Sequence, residues 1–333
     1  MNNIPAIALP SPRDRHEFLT MRRSGLGSSD ASAIVGLNAY ESPYTIWEDK
    51  TGRAPLDVPV DSRRQEIMDW GNILEPVILQ EVAQRLDLDI EKPEHGHRHA
   101  EHDWLRCNLD GWTSDQRIAE IKTTHVRNEH LWENDVPDHP AIQVHHAALI
   151  TKAERAVVAC LVGGQRLIIH EIELNANVLE MLWIAEDRFW TEHVEKDVPP
   201  PVDGHVATMD ALTREWAHKP GDAEVHELDI RDHWEAWHYA NEKEREMKAA
   251  KREAAANIAA LMNGHDRLVT GSTVWASAQR GQLIESRLKN DHADIYAKYV
   301  TERPAFDRDA FKEDHPELFA EYQAVSIRPK NIK

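Results

Sequence analysis

The sequence predicts a mixed α/β fold: a central mixed sheet flanked by helices, followed by a helical C-terminal extension. Three features of the chain predict it. Strand-patterned stretches alternate with helix-patterned ones up to residue 198. The run Val198-Pro199-Pro200-Pro201-Val202-Asp203-Gly204 then breaks the pattern, because proline cannot continue a helix or a ladder. Beyond it, His233 to Leu261 is rich in Ala, Glu, Lys and Arg at helical spacing. The expected division is therefore a core over residues 1–204 and an extension over 205–333. A length of 333 residues with 41% hydrophobic content suffices for one large domain or two ordinary ones.

Taken in order, residues 12–50 read as helices with a loop. Within them, Arg22-Arg23-Ser24-Gly25-Leu26-Gly27-Ser28-Ser29-Asp30-Ala31 runs into Ile34-Val35-Gly36. This predicts a glycine-rich turn, a serine cap and a short helix closed by glycine. Arg53 to Gln65 reads as a loop bearing Pro and Asp. A helix is expected over Gly71 to Leu88, with Val77, Ile78, Val82 and Leu86 at helical spacing. Pro76 disfavours helical geometry at Glu75 except in a first turn or at a kink. His95 to Lys122 is strand-rich. Asp138-His139-Pro140 opens a helix over 140–152. Ala156–Leu161 and Arg166–Leu174 pair across Gly163-Gly164 as a hairpin. Asn175 to Glu195 is one amphipathic helix with Val178, Leu182, Ala185 and Phe189 along a face. On the long C-terminal helix, Trp234, Trp237, Ala240 and Met247 would form a packing stripe. Asp266 to Ala278 reads as strands around Gly271.

Composition excludes several classes. No run of about 18 apolar residues exists, so no membrane span is expected. The N-terminus has no basic segment followed by an apolar one, so no signal peptide is expected. Cys107 and Cys160 lie in apolar, strand-like runs and read as buried free thiols of a reducing compartment. The chain has no Gly-x4-Gly-Lys-Ser/Thr phosphate loop and no Gly-x-Ser-x-Gly elbow, which argues against an ATP-driven motor and a serine hydrolase. The 39 basic and 58 acidic residues give a net charge of −19. Taken naively, this opposes nucleic-acid binding; a local basic stripe and bound divalent ions would offset it.

The stretch that carries chemistry is Leu105 to Lys122. It reads as two strands joined by a turn around Ser114-Asp115-Gln116. Folded symmetrically about Asp115, it sets Asp110 opposite Glu120. Glu120 and Lys122 are two apart and share a strand face. Two carboxylates so close are unfavourable unless a cation lies between them. The chemistry suggested is Mg²⁺ held by acidic oxygens, with a lysine that orients or deprotonates water. Alone, the pattern equally fits a solvated hairpin. Glu75 would supply a third metal ligand, and Gln143 in the first turn of its helix would bond water, lysine or phosphate. Free N–H groups at the Ser28–Ser29 helix start, beside Arg22 and Arg23, would bind phosphate; an ordinary capped helix has the same sequence. Alternating His95, His97 and His99 would share a strand face near His102, a place for adventitious transition-metal binding.

Five motifs occur in one order: Gly27-Ser28-Ser29-Asp30-Ala31 to Gly36, Trp70-Gly71-x3-Glu75-Pro76, Leu109-Asp110-Gly111, Glu120-Ile121-Lys122, and Gln143-x-His-His. Together they resemble the YqaJ-type viral recombinase family, phage alkaline exonucleases related to lambda exonuclease within the PD-(D/E)XK nuclease superfamily. The resemblance spans roughly residues 15 to 205 and implies a restriction-endonuclease-like core. It implies that Asp110, Glu120 and the backbone carbonyl of Ile121 bind Mg²⁺, which Mn²⁺ would replace. Lys122 would position or activate water, Glu75 would support the metal shell, and Gln143 would sit beside it. Arg23 or Arg22, with Ser28 and Ser29, would contact a DNA phosphate. The superfamily's proline before the first aspartate is Leu109 here, and Ala147 stands where a tyrosine would follow Gln143. The implied activity is 5′-to-3′ degradation of one strand of duplex DNA from its ends, leaving 3′ single strands for an annealing protein. A homo-oligomeric ring, a trimer by preference, and a cytoplasmic place in a bacterial host, encoded by phage or prophage, are further implications. The basic tail with Arg328, Lys330 and Lys333 would touch DNA. An endonuclease on the same core, or an inactive DNA-binding or assembly subunit, are the alternative functions.

Overall fold

The computed structural model describes residues 4–57, 62–214, 222–279, 285–300 and 306–321. The chain divides into two compact units, Met1–Glu215 and Trp216–Lys333. In order, the first holds β1 (Ile7–Ala8), α1 (Arg15–Arg23), α2 (Ser28–Ile34), α3 (Pro43–Lys50), α4 (Ser62–Leu86), β2 (Ile90–Glu91), β3 (His97–Arg98) and β4 (Arg106–Cys107). It continues with β5 (Gly111–Thr113), β6 (Ile118–Thr124), α5 (Asp138–Thr151), β7 (Arg155–Val162), β8 (Arg166–Glu173), α6 (Ala176–Arg188) and α7 (Val206–Arg214). The proline run is not where the first unit ends. α7 lies beyond it, and the Thr208 hydroxyl donates to Ser42 Oγ at 2.7 Å, holding α7 on α3.

A five-stranded mixed sheet in the order β2-β5-β6-β7-β8 organises this unit. β6 and β7 run parallel, with α5 in the crossover between them; the other pairs are antiparallel. The hairpin register is Gly111 to Ala119 and Trp112 to Ile118, symmetric about Asp115 as the sequence predicts. Strand alternation then sorts the core. Ile118 on β6 and Ala156, Val158 and Cys160 on β7 pack with Val144, Ala147 and Ala148 of α5. Ala119 and Ile121, with Val157 and Ala159, pack with Ile78, Leu79 and Val82 of α4. Even-numbered residues of β6 therefore share the α5 side, which orients Glu120 and Lys122.

The strand expected from Leu105 to Thr113 is two strands. β4 belongs to a small sheet, β1-β3-β4, and β5 to the main one, so the chain breaks over Asn108–Asp110. Gly111 makes the re-entry: a Cβ there would meet Ile90 Cγ2 at 2.7 Å and Leu79 Cδ2 at 2.9 Å. Other elements also differ from expectation. α4 starts at Ser62, so it takes up part of the loop expected over 53–65 and contains Pro76 in its interior. Proline there leaves the Asn72 carbonyl without its helical donor. The N-cap of α2 is Gly27, not a serine; Asp30 Oδ2 accepts the Gly27 N–H at 3.0 Å. α6 continues over Phe189–Val194 as a π-helical turn. Both cysteines are free and buried, and burial first of all pushes each thiol up to about 12.

His146 on α5 ties the sheets together. Its Nδ1 lies 2.8 Å from Glu186 Oε1 on α6, and its Nε2 lies 2.8 Å from the Arg106 carbonyl on β4. Against a Glu186 carboxylate and a carbonyl, both ring nitrogens donate, which is the pattern of an imidazolium. Burial pulls its pKa down, but the Glu186 charge and these hydrogen bonds outweigh burial and hold it above 6.5. A histidine raised in the fold contributes stability that is complete below its unfolded pKa and is lost as pH rises through its folded pKa. Glu186→Gln is expected to cost about 3 kcal/mol at pH 6, because it removes the counter-charge of a buried cation. It should also flatten the fall of Tm above neutral pH. Thermal melts from pH 5 to 9 check this; a variant whose Tm profile parallels the parent would disprove the pairing.

The second unit holds α8 (Glu227–Met262), β9 (Arg267–Thr270), β10 (Thr273–Ser277), α9 (Glu285–Asp291), α10 (Ala293–Lys298), α11 (Arg308–Asp314) and α12 (Pro316–Glu321). α8 begins earlier than His233 and buries no residue, so the expected stripe is not packed: Trp237 and Met247 are 41% and 63% exposed. β9 and β10 pair around Gly271 as expected. Arg328, Lys330 and Lys333 lie outside the described residues. No helix among the described residues is long and apolar enough to cross a membrane.

Candidate active site

Asp110 ends the break between β4 and β5, one residue before the paired part of the hairpin. Its Oδ2 accepts the Ile121 N–H at 2.8 Å, which carries the hairpin register on to Asp110 and Glu120. Glu120 is buried, and its Oε1 is hydrogen-bonded to Lys122 Nζ. Burial first, then the Glu120 charge, push the Asp110 carboxyl up to about 7; the Ile121 N–H and Lys122 work against them. Burial draws the Lys122 pKa down, but Glu120 and Asp110 outweigh it, so Lys122 is held as an ammonium.

A cavity of about 370 Å³ opens beside this pair. Arg22, Ser28, Ser29, Asp110, Glu120 and Gln143 all line it, which brings the N-terminal motif, the hairpin and α5 to one place. Its remaining wall is largely apolar, with Leu9, Pro10, Phe18 and Met21. Ser28 Oγ and Gln143 Oε1 are buried and have no hydrogen-bond partner among the described residues. An unmet acceptor and hydroxyl at a cavity wall are costly without a ligand or water, so they mark where polar atoms of a guest would sit.

Two expected residues are placed elsewhere. Arg23 does not line the cavity: its Nε donates to Asp49 at 3.1 Å and its Nη2 to the Ala54 carbonyl at 2.8 Å. Arg22 takes the cavity position instead, with its Nη2 3.1 Å from Ser29 Oγ. Glu75, inside α4, is paired with Lys92 rather than turned to the cavity, though its charge still raises the Asp110 pKa. Among the described residues no three His, Cys, Asp or Glu side chains are grouped to hold a metal. What fits a cation is narrower: the Asp110–Glu120 pair, the raised Asp110 carboxyl and the unmet Gln143 oxygen.

The histidine run does not converge. β3 covers only His97 and Arg98. His97 is buried, His95 bonds Ser11 Oγ at 2.8 Å, and His99 Nε2 faces Lys152 Nζ at 3.1 Å. His99 and His102 instead join Trp104, Trp183 and Trp190 in an aromatic cluster, where Trp104 and Trp190 stack with centroids 5.7 Å apart.

Some residues at the site were given no role by the sequence. Asp30 and Lys50 form a buried pair at 2.7 Å beneath Arg22. His139, at the start of α5, bonds Ser32 Oγ at 2.8 Å; burial first and the Lys122 charge second lower its pKa. Only the Asp138-His139-Pro140 helix start pointed to its position.

The sequence model of the YqaJ-like viral recombinase domain matches residues 17–154. The match contains the N-terminal motif, the hairpin and the cavity-facing turn of α5, and stops just before β7. Over 315 residues the chain is 29% identical to the uncharacterized protein YqaJ of Bacillus subtilis (strain 168), covering 92% of this chain and 97% of that protein. The likeness to that protein thus runs well past residues 17–154 into the second unit. Among solved structures, an alkaline exonuclease from Laribacter hongkongensis is similar with a TM-score of 0.43 at 12% identity, covering 55% of this chain and 93% of that one. A phage-related exonuclease from Haemophilus somnus 129PT is similar with a TM-score of 0.36 at 9% identity, covering 54% and 99%.

Proposed function

We propose that this YqaJ-like protein is a metal-dependent deoxyribonuclease of the PD-(D/E)XK type. In this reading it is a 5′-to-3′ exonuclease on duplex DNA ends that leaves 3′ single strands for an annealing protein in phage-type recombination. The observation that carries the reading is one cavity lined at once by Asp110 and Glu120, by Gln143, and by Arg22, Ser28 and Ser29. Carboxylates suit a divalent cation; arginine and hydroxyls suit a phosphodiester.

Asp110 and Glu120 would hold Mg²⁺, or Mn²⁺ in its place, with the Ile121 carbonyl as a further oxygen and Glu75 in outer support. When bound, the cation supplies a Lewis acid that lowers the pKa of water and offsets phosphate charge. Lys122 donates from its ammonium to the attacking water or a phosphate oxygen. Gln143 orients the water or the phosphate through its unmet oxygen and its amide. Arg22 and the Ser28–Ser29 hydroxyls hold a phosphate of the strand end, and the apolar wall shields the site from bulk water. A ring of copies, a trimer by preference, in the cytoplasm of a bacterial host completes the reading.

The test is digestion of linear duplex DNA labelled separately at its 5′ and 3′ ends, with covalently closed circles alongside and Mg²⁺ added or chelated. Early release of the 5′ label in Mg²⁺, with circles intact, is the expected result. Cut circles would replace the exonuclease with an endonuclease. No cleavage in Mg²⁺ or Mn²⁺ would leave a DNA-binding or assembly subunit.

A further inference from the structure

We infer that Asp30 and Lys50 are positioning residues: a buried ion pair that holds Arg22, by its main chain and its side chain, ready for a phosphate. This rests on the reading of the cavity as a phosphodiester site. Lys50, on the last turn of α3, has its ammonium end fully buried, 2.7 Å from Asp30 Oδ2. The same ammonium donates to the Arg22 carbonyl at 3.2 Å. Asp30 Oδ1 lies 3.8 Å from Arg22 Nη2, and Ser29 Oγ accepts from that nitrogen at 3.1 Å. Both ends of Arg22 are thus fixed by one pair.

Packing alone does not call for such a pair, since two apolar side chains would fill the same space at less desolvation cost. Capping α2 needs only one Asp30 oxygen, which accepts the Gly27 N–H at 3.0 Å. The lysine has a further electrostatic effect. Burial raises the Asp30 pKa, but Lys50 first and Arg22 second bring it below its usual value, so Asp30 is ionised. Alone it would neutralise Arg22; Lys50, which lies closer to Asp30 than to its second partner Asp49 Oδ2 at 3.3 Å, offsets that charge, so the guanidinium stays positive toward an anion. Arg22 remains 45% exposed on its side chain and lines the cavity. Its neighbour Arg23 is committed to Asp49 and Ala54. Prepaying the ordering of a flexible arginine acts on substrate binding, so it belongs in KM rather than kcat.

The experiment measures kcat and KM on 5′-phosphorylated linear duplex in Mg²⁺. Neutralising one partner alone strands a buried charge, so the informative variant removes both: Asp30→Asn/Lys50→Met, with Asp30→Asn/Lys50→Gln as a second neutral pair. Asparagine still accepts the Gly27 N–H. Each folded double variant, checked by circular dichroism, is expected to raise KM about tenfold with kcat within about twofold. Adding either pair to Arg22→Ala should worsen KM no further than Arg22→Ala does alone, because the pair acts through Arg22. An unchanged KM in a folded double variant, or losses that multiply with Arg22→Ala, would overturn the proposal and leave the phosphate reading standing. An Arg22→Ala variant with unchanged KM would overturn both.

Discussion

Lys122→Ala is expected to lower the turnover of linear duplex DNA by about a thousandfold while DNA and Mg²⁺ still bind. Lys122 lies on the α5 side of β6, and its ammonium is held by Glu120 beside Asp110. Deleting a preorganised donor at a reacting centre costs about two to four orders of magnitude. Binding should survive, because Arg22, Ser28 and Ser29 reach the cavity from a different part of the chain. The variant also frees Glu120 from its counter-ion, so Mg²⁺ affinity should hold or rise. Single-turnover cleavage in Mg²⁺ and fluorescence anisotropy of DNA binding in Ca²⁺ separate the two effects. Turnover within about tenfold of the parent would remove Lys122 from the proposed machinery.

Asp110→Asn is expected to abolish measurable Mg²⁺ binding and, without metal, to make the protein more stable. The sign follows from the Asp110 pKa, raised from 3.8 to about 7 by burial and by Glu120. The folded chain holds this proton more tightly than the unfolded chain. Stability therefore falls as pH rises from 3.8 toward 7, and above that range the ionised carboxylate is a standing cost. Asparagine carries no charge and can still accept the Ile121 N–H. In EDTA at pH 8 the variant should gain on the order of 2–3 kcal/mol, an effect that vanishes near pH 4. Adding Mg²⁺ should raise the Tm of the parent and leave the variant unmoved. Titration calorimetry that finds parental Mg²⁺ affinity in Asp110→Asn would count against its place as a ligand.

Much of the candidate site was readable because its parts are local. The turn about Asp115 and the period of two on a strand suffice to set Asp110 against Glu120 and to align Lys122, and the hairpin register agrees with both. The helix start at Asp138-His139-Pro140 likewise put Gln143 near the start of its helix, but α5 begins at Asp138, so Gln143 falls in the second turn and not the first. The choice between Arg22 and Arg23 was not readable. Adjacent helical residues point about 100° apart, and which one meets the cavity depends on where Asp49 and Ala54 lie to engage the other. Glu75 shows the same limit: its partner Lys92 is distant along the chain. The histidine run failed for a related reason. Alternation groups side chains only if the strand is long enough, and β3 ends after Arg98.

Period, turn chemistry and charge spacing along the chain were enough to specify the α/β class, most helices and the carboxylate–lysine hairpin, since each depends on residues a few positions apart. The extent of α4 around Pro76, the orientation of Arg22, the Asp30–Lys50 pair and the imidazolium of His146 depend on what distant segments bring to them. Burial decides these features. A charge or a ring nitrogen is neither costly nor committed until packing removes its water, and only the folded chain supplies the partner that replaces it.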